Sequence, residues 1–385
     1  MSGYISSNEN RFYISAESVY GTAAAVTAAN RIPAVQLKVS QRSESRPRRD
    51  KTGSRTYVGV PNGGRRTTKF DLSTYMTAWT NTAAGPCYGP LFEAALGAGV
   101  SLSGGGAAIQ PNGTTVAFSQ PHGLQFGQGI SVGDEIRFVA AVADSRTVVL
   151  NAPFSTVGST AGSTATYVPT TELKSYSLFD YWSPNSTVQR ILCGSGIDRL
   201  RIRVNADYQI FEFSGEAADV VDSSSFASGQ AGLTQFPAEP TLSDFDHSIV
   251  PGHLGQVWMG GIAGQFFTLT SADITLQNGL ALRSREFGSS IARGLNADTR
   301  NVTAVFSVFA QDDASTQALY QAARQWSPVG LMFQLGEQAG QLCGVYLPAV
   351  MLETPDFNDS QTRLQWSFTG RAQGDTDDEL FIAFA

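Results

Sequence analysis

Three histidines, three cysteines and 33 acidic residues are the chain's supply of ligating and acid–base groups, and their spacing builds no reaction centre. His122, His247 and His253 stand far apart, without the i, i+4 spacing by which one helix face holds a metal. Asp244 and Asp246 lie beside His247, a cluster that reads as a solvated loop. Cys87, Cys193 and Cys343 show no zinc spacing; odd in number, they read as buried thiols of a reducing cytoplasm rather than a disulfide framework. Gly104-Gly105-Gly106 and Gly260-Gly261-Ile262-Ala263-Gly264 lack the strand-then-helix context and the lysine of a phosphate loop. Gly194-Ser195-Gly196 lacks the five-residue frame of a nucleophile elbow. The expectation is a protein that is not an enzyme, with no cofactor and no metal.

Charge is the one strongly patterned chemical feature. Residues 41–69 hold nine of the 26 basic residues: Arg42, Arg46, Arg48, Arg49, Lys51, Arg55, Arg65, Arg66 and Lys69. Only Glu44 and Asp50 oppose them, so the segment carries +7 and the rest of the chain −14. Such a segment can meet an acidic protein surface, sit in water, or hold phosphates. The last would want stacking aromatics among the basic residues, and only Tyr57 is there. The net charge of −7 also argues against tight nucleic-acid binding. Arg199, Arg201 and Arg203 alternate with Leu200, Ile202 and Val204, an amphipathic strand by period two.

The elements that must carry these residues read as short strands. Charged residues are 15% of the chain against roughly 25% in soluble domains. With 39 glycines, this composition fits either much surface hidden in an assembly or short strands joined by tight turns. An apolar content of 42% is too high for disorder. No run of eighteen apolar residues exists to span a membrane, and the first residues do not read as a secretory signal. One motif occurs twice, aromatic-x-Phe-(Ser/Thr)-Gly-x-Ala. It runs from Phe211 through Phe213, Gly215 and Ala217, and from Trp366 through Phe368, Gly370 and Ala372. Each copy follows a Leu-Cys-Gly tripeptide, at Leu192-Cys193-Gly194 and Leu342-Cys343-Gly344. Strands are expected at 35–39, 68–72, 176–181, 273–276, 302–308 and 330–335, and helices at 90–96 and 314–325, the second capped by Asp312 and Asp313. Phe70 is expected to match Phe306, and Phe179 to match Phe333. The resulting map is mainly β: two tandem sandwich or barrel domains, each with a short flanking helix. Residues 1–102 with 173–221 form the first domain, 103–172 an inserted small β-barrel or sandwich, 222–256 a connector, and 257–385 the second domain.

This order of parts resembles the tail tube proteins of long-tailed bacteriophages. The likeness is carried by Glu17-Ser18-Val19-Tyr20-Gly21-Thr22, by the loop 40–66 between paired strands, and by the Gly-x-Ala strand ends at 215–217 and 370–372. It covers both halves but not the insert. The resemblance implies a virion structural subunit, assembled in the bacterial host cytoplasm, whose duplicated domain makes a trimeric ring of pseudo-sixfold symmetry. Rings would stack into a tube for DNA ejection. Partners would be other copies of the chain, a tape-measure protein and DNA in the lumen, and tail terminator and distal tail proteins, with no membrane insertion. Within that frame the basic segment is favoured as a stacking loop that meets an acidic surface of the next ring. Asp375, Asp377, Asp378 and Glu379, or Asp219 and Asp222, could supply that surface. The arginine strand is expected on the outer surface or against a neighbour, and the insert is expected to project outward. A terminator-like or secretion-tube ring protein is one rival. A carbohydrate-binding tail-fibre β-protein is another, which the apolar settings of most of the five tryptophans disfavour.

Overall fold

The structure, a computed structural model, describes residues 4–44, 50–56, 59, 64–79, 85–103, 105–109, 113–155, 158–242, 248–260, 265–266, 268–360 and 362–385. The fold is mainly β, with antiparallel strands and, among the described residues, two short α-helices, Gly89–Leu96 and Ala314–Gln325. Period-two alternation sets the layers: in Ile210–Ala217 and Asn301–Phe309 every second side chain is buried.

One pairing diagram is used twice. In the first half, Asn10–Ala16, Tyr176–Trp182, the start of Arg190–Val204 and Asp219–Asp222 pair in that order. The end of Arg190–Val204 crosses to a second layer and pairs with Ile210–Ala217, then Arg66–Tyr75, then Ala34–Ser43. In the second half, Gly255–Met259, Val329–Leu335, the start of Cys343–Leu352 and Phe381–Phe384 form the first layer. The end of Cys343–Leu352 crosses likewise to Gln365–Ala372, Asn301–Phe309 and Leu269–Gln277. Even the irregularities recur. The register slips between Ala34 and Gln36 and again between Leu269 and Ser271, and between Tyr176 and Leu178 and again between Val329 and Leu331.

The doubled motif sits where the crossing strand changes layers. Phe213 and Phe368 are buried in the same core, opposite Leu72 and Phe306. Gly215 and Gly370 lie next along the same face. A Cβ on Gly215 would stand 1.9 Å from the Gly196 carbonyl oxygen, and one on Gly370 would stand 3.0 Å from that of Met351 and 2.6 Å from Val350 Cγ1. The strand crossing behind them leaves no room for a side chain.

The tripeptides do not share this equivalence. Leu192 pairs with Leu178, and the position matching it is Leu347, paired with Leu331, not Leu342. Cys193 belongs to an outer cluster with Tyr13, Phe179 and Tyr181, whereas Cys343 lies in the main core. Phe179 likewise faces the outer cluster and Phe333 the main core, so they are not in register; a one-residue slip changes faces. Phe70 lies opposite Gly215 and so matches Ala304, which lies opposite Gly370; Phe306 matches Leu72.

Helix Gly89–Leu96 starts at a proline and ends on Gly97 at φ +115°. It is almost wholly buried, with Phe92 touching the rings of Phe211, Phe213 and Phe384 at 4.9–5.4 Å. Burying one such ring contributes about 1.5–3 kcal/mol, and this one joins both halves, since Phe384 belongs to the second. Helix Ala314–Gln325 is capped by Asp313, which accepts from the Thr316 amide, and buries only Thr316, Leu319 and Ala323.

Residues 105–161 form a separate six-stranded sheet with its own core of Ile109, Val116, Ile130, Val139, Val148 and Phe154. A bridge between Ser131 and Gly162 draws its ends together. Strand Thr164–Pro169, expected in this insert, instead pairs with Gly97–Leu102 and Phe381–Phe384 in the large sheet. Arg137 ties the insert to the second half. Its guanidinium is fully buried and donates to Glu135 at 2.7 Å, Gln256 at 2.8 Å and Gln334 at 3.1 Å. Burial pulls it down to about 10 against the attraction of Glu135. In the connector, Phe226, Leu233 and Phe236 pack on the outer cluster, and Glu239 accepts from Arg11 at 2.7 Å and from the Tyr13 hydroxyl at 2.9 Å. Phe245 lies outside the described residues.

Candidate assembly surface

The two halves meet by strand pairing. The end of Arg190–Val204 lies antiparallel to Leu269–Gln277, from Arg199 opposite Gln277 to Val204 opposite Ala272. This seam makes one continuous layer from Ala34–Ser43 at one side to Asp356–Asn358 at the other. Its core face carries Ile202 and Ile274, each 1% exposed. Its other face carries the arginine row. Arg201 donates to Asp273 at 2.7 Å, and Arg203 donates to Glu212 at 2.8 Å. The arginine row is thus paired within the chain, Arg201 across the seam and Arg203 with Glu212 of its own half.

At the two outer edges the same positions are open. Among the described residues, Ala34–Ser43 pairs only with Arg66–Tyr75, and Asp356–Asn358 only with Gln365–Ala372. Val35 is 49% and Phe357 55% exposed. Phe357 stacks on Trp366 at 5.2 Å, with no further strand beyond it among the described residues. Lys38 and Asp356 are exposed and form no ion pair among the described residues. An unpaired edge with exposed apolar residues is a template for another strand.

The basic segment lies at one end of this layer, between Ala34–Ser43 and Arg66–Tyr75. Arg46, Arg48 and Arg49 lie outside the described residues. Arg42, Lys51 and Arg55 are exposed. Arg66 pairs with Asp219 at 3.2 Å, and Lys69 with Glu216 at 3.1 Å. The second hairpin loop, the counterpart of the basic one, brings Arg283, Arg285 and Arg293 to the same end; sequence reading did not single out these arginines. There Arg285 pairs with Glu44 at 3.2 Å, and the Arg66 amide donates to the Ser290 carbonyl. The signal was present, because this loop joins the counterparts of the strands that flank the basic segment.

Both acidic stretches lie at that same end and have partners in the chain. Asp377 and Glu379 accept from Arg300 at 3.1 and 2.6 Å, and Asp378 accepts from the Asp375 and Thr376 amides. Asp219 holds Arg66 and Gln41. Asp222 is drawn down to about 2 by its hydrogen bonds from Ser225 and Ser224. The opposite end presents Asp207, Asp312 and Asp359, all exposed and each in a turn between strands or before the helix.

Burial pushes the Cys87 thiol up to about 11 and the Cys193 thiol up to about 12. His122 accepts from the Leu124 amide at its Nδ1 and contacts the Asp144 carbonyl through Nε2. His247, Asp244 and Asp246 lie outside the described residues. Among the described residues no three His, Cys, Asp or Glu side chains are grouped to hold a metal, and no helix is long and apolar enough to cross a membrane. Trp326, at the end of the second helix, is 70% exposed, unlike the other four tryptophans. No protein-family model matches this chain, and no curated protein matches it.

Proposed function

We propose that this chain is the structural subunit of a tube, the tail tube of a long-tailed bacteriophage, in which rings of the chain stack to form a conduit for DNA ejection. The observation that carries the reading is the internal seam. Two copies of one pairing diagram are joined by strand edges, and the counterparts of those edges stand open at both sides of the chain. A unit whose two open edges differ adds copies head to tail, and such addition closes into a ring when the rotation allows. Three chains with two repeats each would give six pseudo-equivalent positions. The basic hairpin end and the acidic opposite end would then set the polarity of stacking. In such a particle the chain's partners are its own copies, the tape-measure protein and DNA inside, and the terminator and distal tail proteins at the ends. Negative-stain microscopy of the purified chain at high concentration tests this. Rings or tubes are expected, and a monodisperse monomer at every concentration would overturn the reading.

A further inference from the structure

We infer that the open edge at Asp356–Asn358 pairs with Ala34–Ser43 of a second copy, in the register of the internal seam and with its ion pair reversed. This rests on the ring reading above and specifies the contact between adjacent chains.

The register follows from shared partners. Glu212 and Ser367 occupy matching positions beside the motif phenylalanines. Arg201 lies opposite Glu212 and Asp356 opposite Ser367, so Asp356 stands where Arg201 stands. Phe357, opposite Trp366, stands where Ile202 stands, opposite Phe211. On the other edge, Val39 lies opposite Phe70 as Ile274 lies opposite Ala304, so Lys38 matches Asp273 and Ser40 matches Thr275. Within the chain, Arg201 faces Thr275, Ile202 faces Ile274, and Arg203 faces Asp273. Transferred to two copies, Asp356 faces Ser40, Phe357 faces Val39, and Asn358 faces Lys38.

Two independent properties agree with this register. The diagonal ion pair Arg201–Asp273 becomes Asp356–Lys38: both signs change, and the attraction is kept. The apolar pair Ile202–Ile274 becomes Phe357–Val39, which would cover the exposed Phe357 ring. Reversal also gives selectivity. The first half's arginine edge set against Lys38 of another copy would bring like charges together, so a wrong-edge pairing is disfavoured.

The test uses the full chain and its exposed edge residues. Lys38→Asp and Asp356→Lys should each raise the concentration needed for assembly by about tenfold or more, with thermal unfolding unchanged for Asp356→Lys and slightly lowered for Lys38→Asp, which faces Asp71 in its own hairpin. The combined variant should restore assembly. Ser40→Cys with Asp356→Cys should give a disulfide between chains on oxidation, since directly opposite Cα atoms in such a ladder stand about 4.5–5.5 Å apart. Ser40→Cys with Asn358→Cys, two positions off, should give far less. Assembly of the parent chain with no rescue by the charge swap, or with the shifted cysteines linking best, overturns this inference and leaves the tube reading intact. A parent chain that never assembles removes both.

Discussion

Gly215 and Gly370 hold equivalent places, yet a methyl group would meet different obstacles there. At Gly215 the added Cβ would press on a backbone carbonyl in the middle of a paired strand, 1.9 Å away. At Gly370 its nearest neighbours are the Val350 and Leu352 methyl groups at 2.6 and 2.8 Å, which can turn aside more cheaply than backbone. Overpacking a core costs about 1–3 kcal/mol. Gly215→Ala is therefore expected at or above the top of that range, and Gly370→Ala at about 1 kcal/mol. Denaturant unfolding of the two variants checks the order; equal losses would mean that the crossing strand yields as easily as a side chain. The two tripeptide glycines show why residue identity alone misleads. Gly194 takes a backbone at φ +63° and also lies 2.7 Å, at its Cβ position, from Ala218 Cβ, whereas Gly344 has no such φ and leaves room for the Phe138 ring, 2.8 Å from where its Cβ would be. Leu-Cys-Gly recurs in sequence, but its two copies answer different demands.

The insert is an element with its own core, but it is not independent of the sheet on which it rests. Phe138 stacks on Tyr346 at 5.3 Å, and Ile136 and Ala152 share a cluster with Trp258, Met332 and Phe381. Thr164 lies opposite Leu102 in neighbouring strands, so a short turn can join them directly. A chain lacking residues 103–163, bridged by a Gly-Ser turn, should keep its strand signal in circular dichroism and unfold cooperatively at a lower temperature. It should also associate nonspecifically, because Trp258, Tyr346 and Phe381 are bared; restoring polar residues at 346 and 381 should relieve this. Loss of all cooperative unfolding would mean that the insert helps to organise the fold. Most of the elements were legible in the sequence. Alternation marked the strands of both halves, and Asp313 before an amphipathic stretch marked the helix at Ala314–Gln325. The allegiance of Thr164–Pro169 was not legible, because its partners are 62 or more residues distant along the chain and local pattern carries no pairing information. Likewise the six-stranded order of the insert was only partly visible, since Gly105–Ile109 and Gly158–Ala161 are short and rich in glycine and alanine.

Across the whole molecule, the hairpin arginines gather at one end of the sheet, where both acidic stretches also lie. The hairpin loops with Arg42, Lys51, Arg55, Arg283, Arg285 and Arg293 share one end, and the carboxylates at that end already hold arginines or turn amides. If rings of the proposed tube stack head to tail, opposite ends meet, and the acidic surface facing the basic loop is expected at Asp207, Asp312 and Asp359 rather than at 375–379. Exposed charges within roughly 10 Å interact at moderate ionic strength and fade as salt rises. Changing Asp207, Asp312 and Asp359 together to Asn should therefore leave rings intact, shorten tubes and flatten the response of tube length to salt. Arg46, Arg48 and Arg49 changed to Gln should do the same from the other side. Asp313 is left in place because it caps a helix. Asp375→Asn with Asp378→Asn serves as the control, expected to change tube length little. Tubes scored by microscopy and sedimentation across a salt series decide it: an unchanged length and salt response in the Asp207, Asp312 and Asp359 variant would remove charge from the stacking contact.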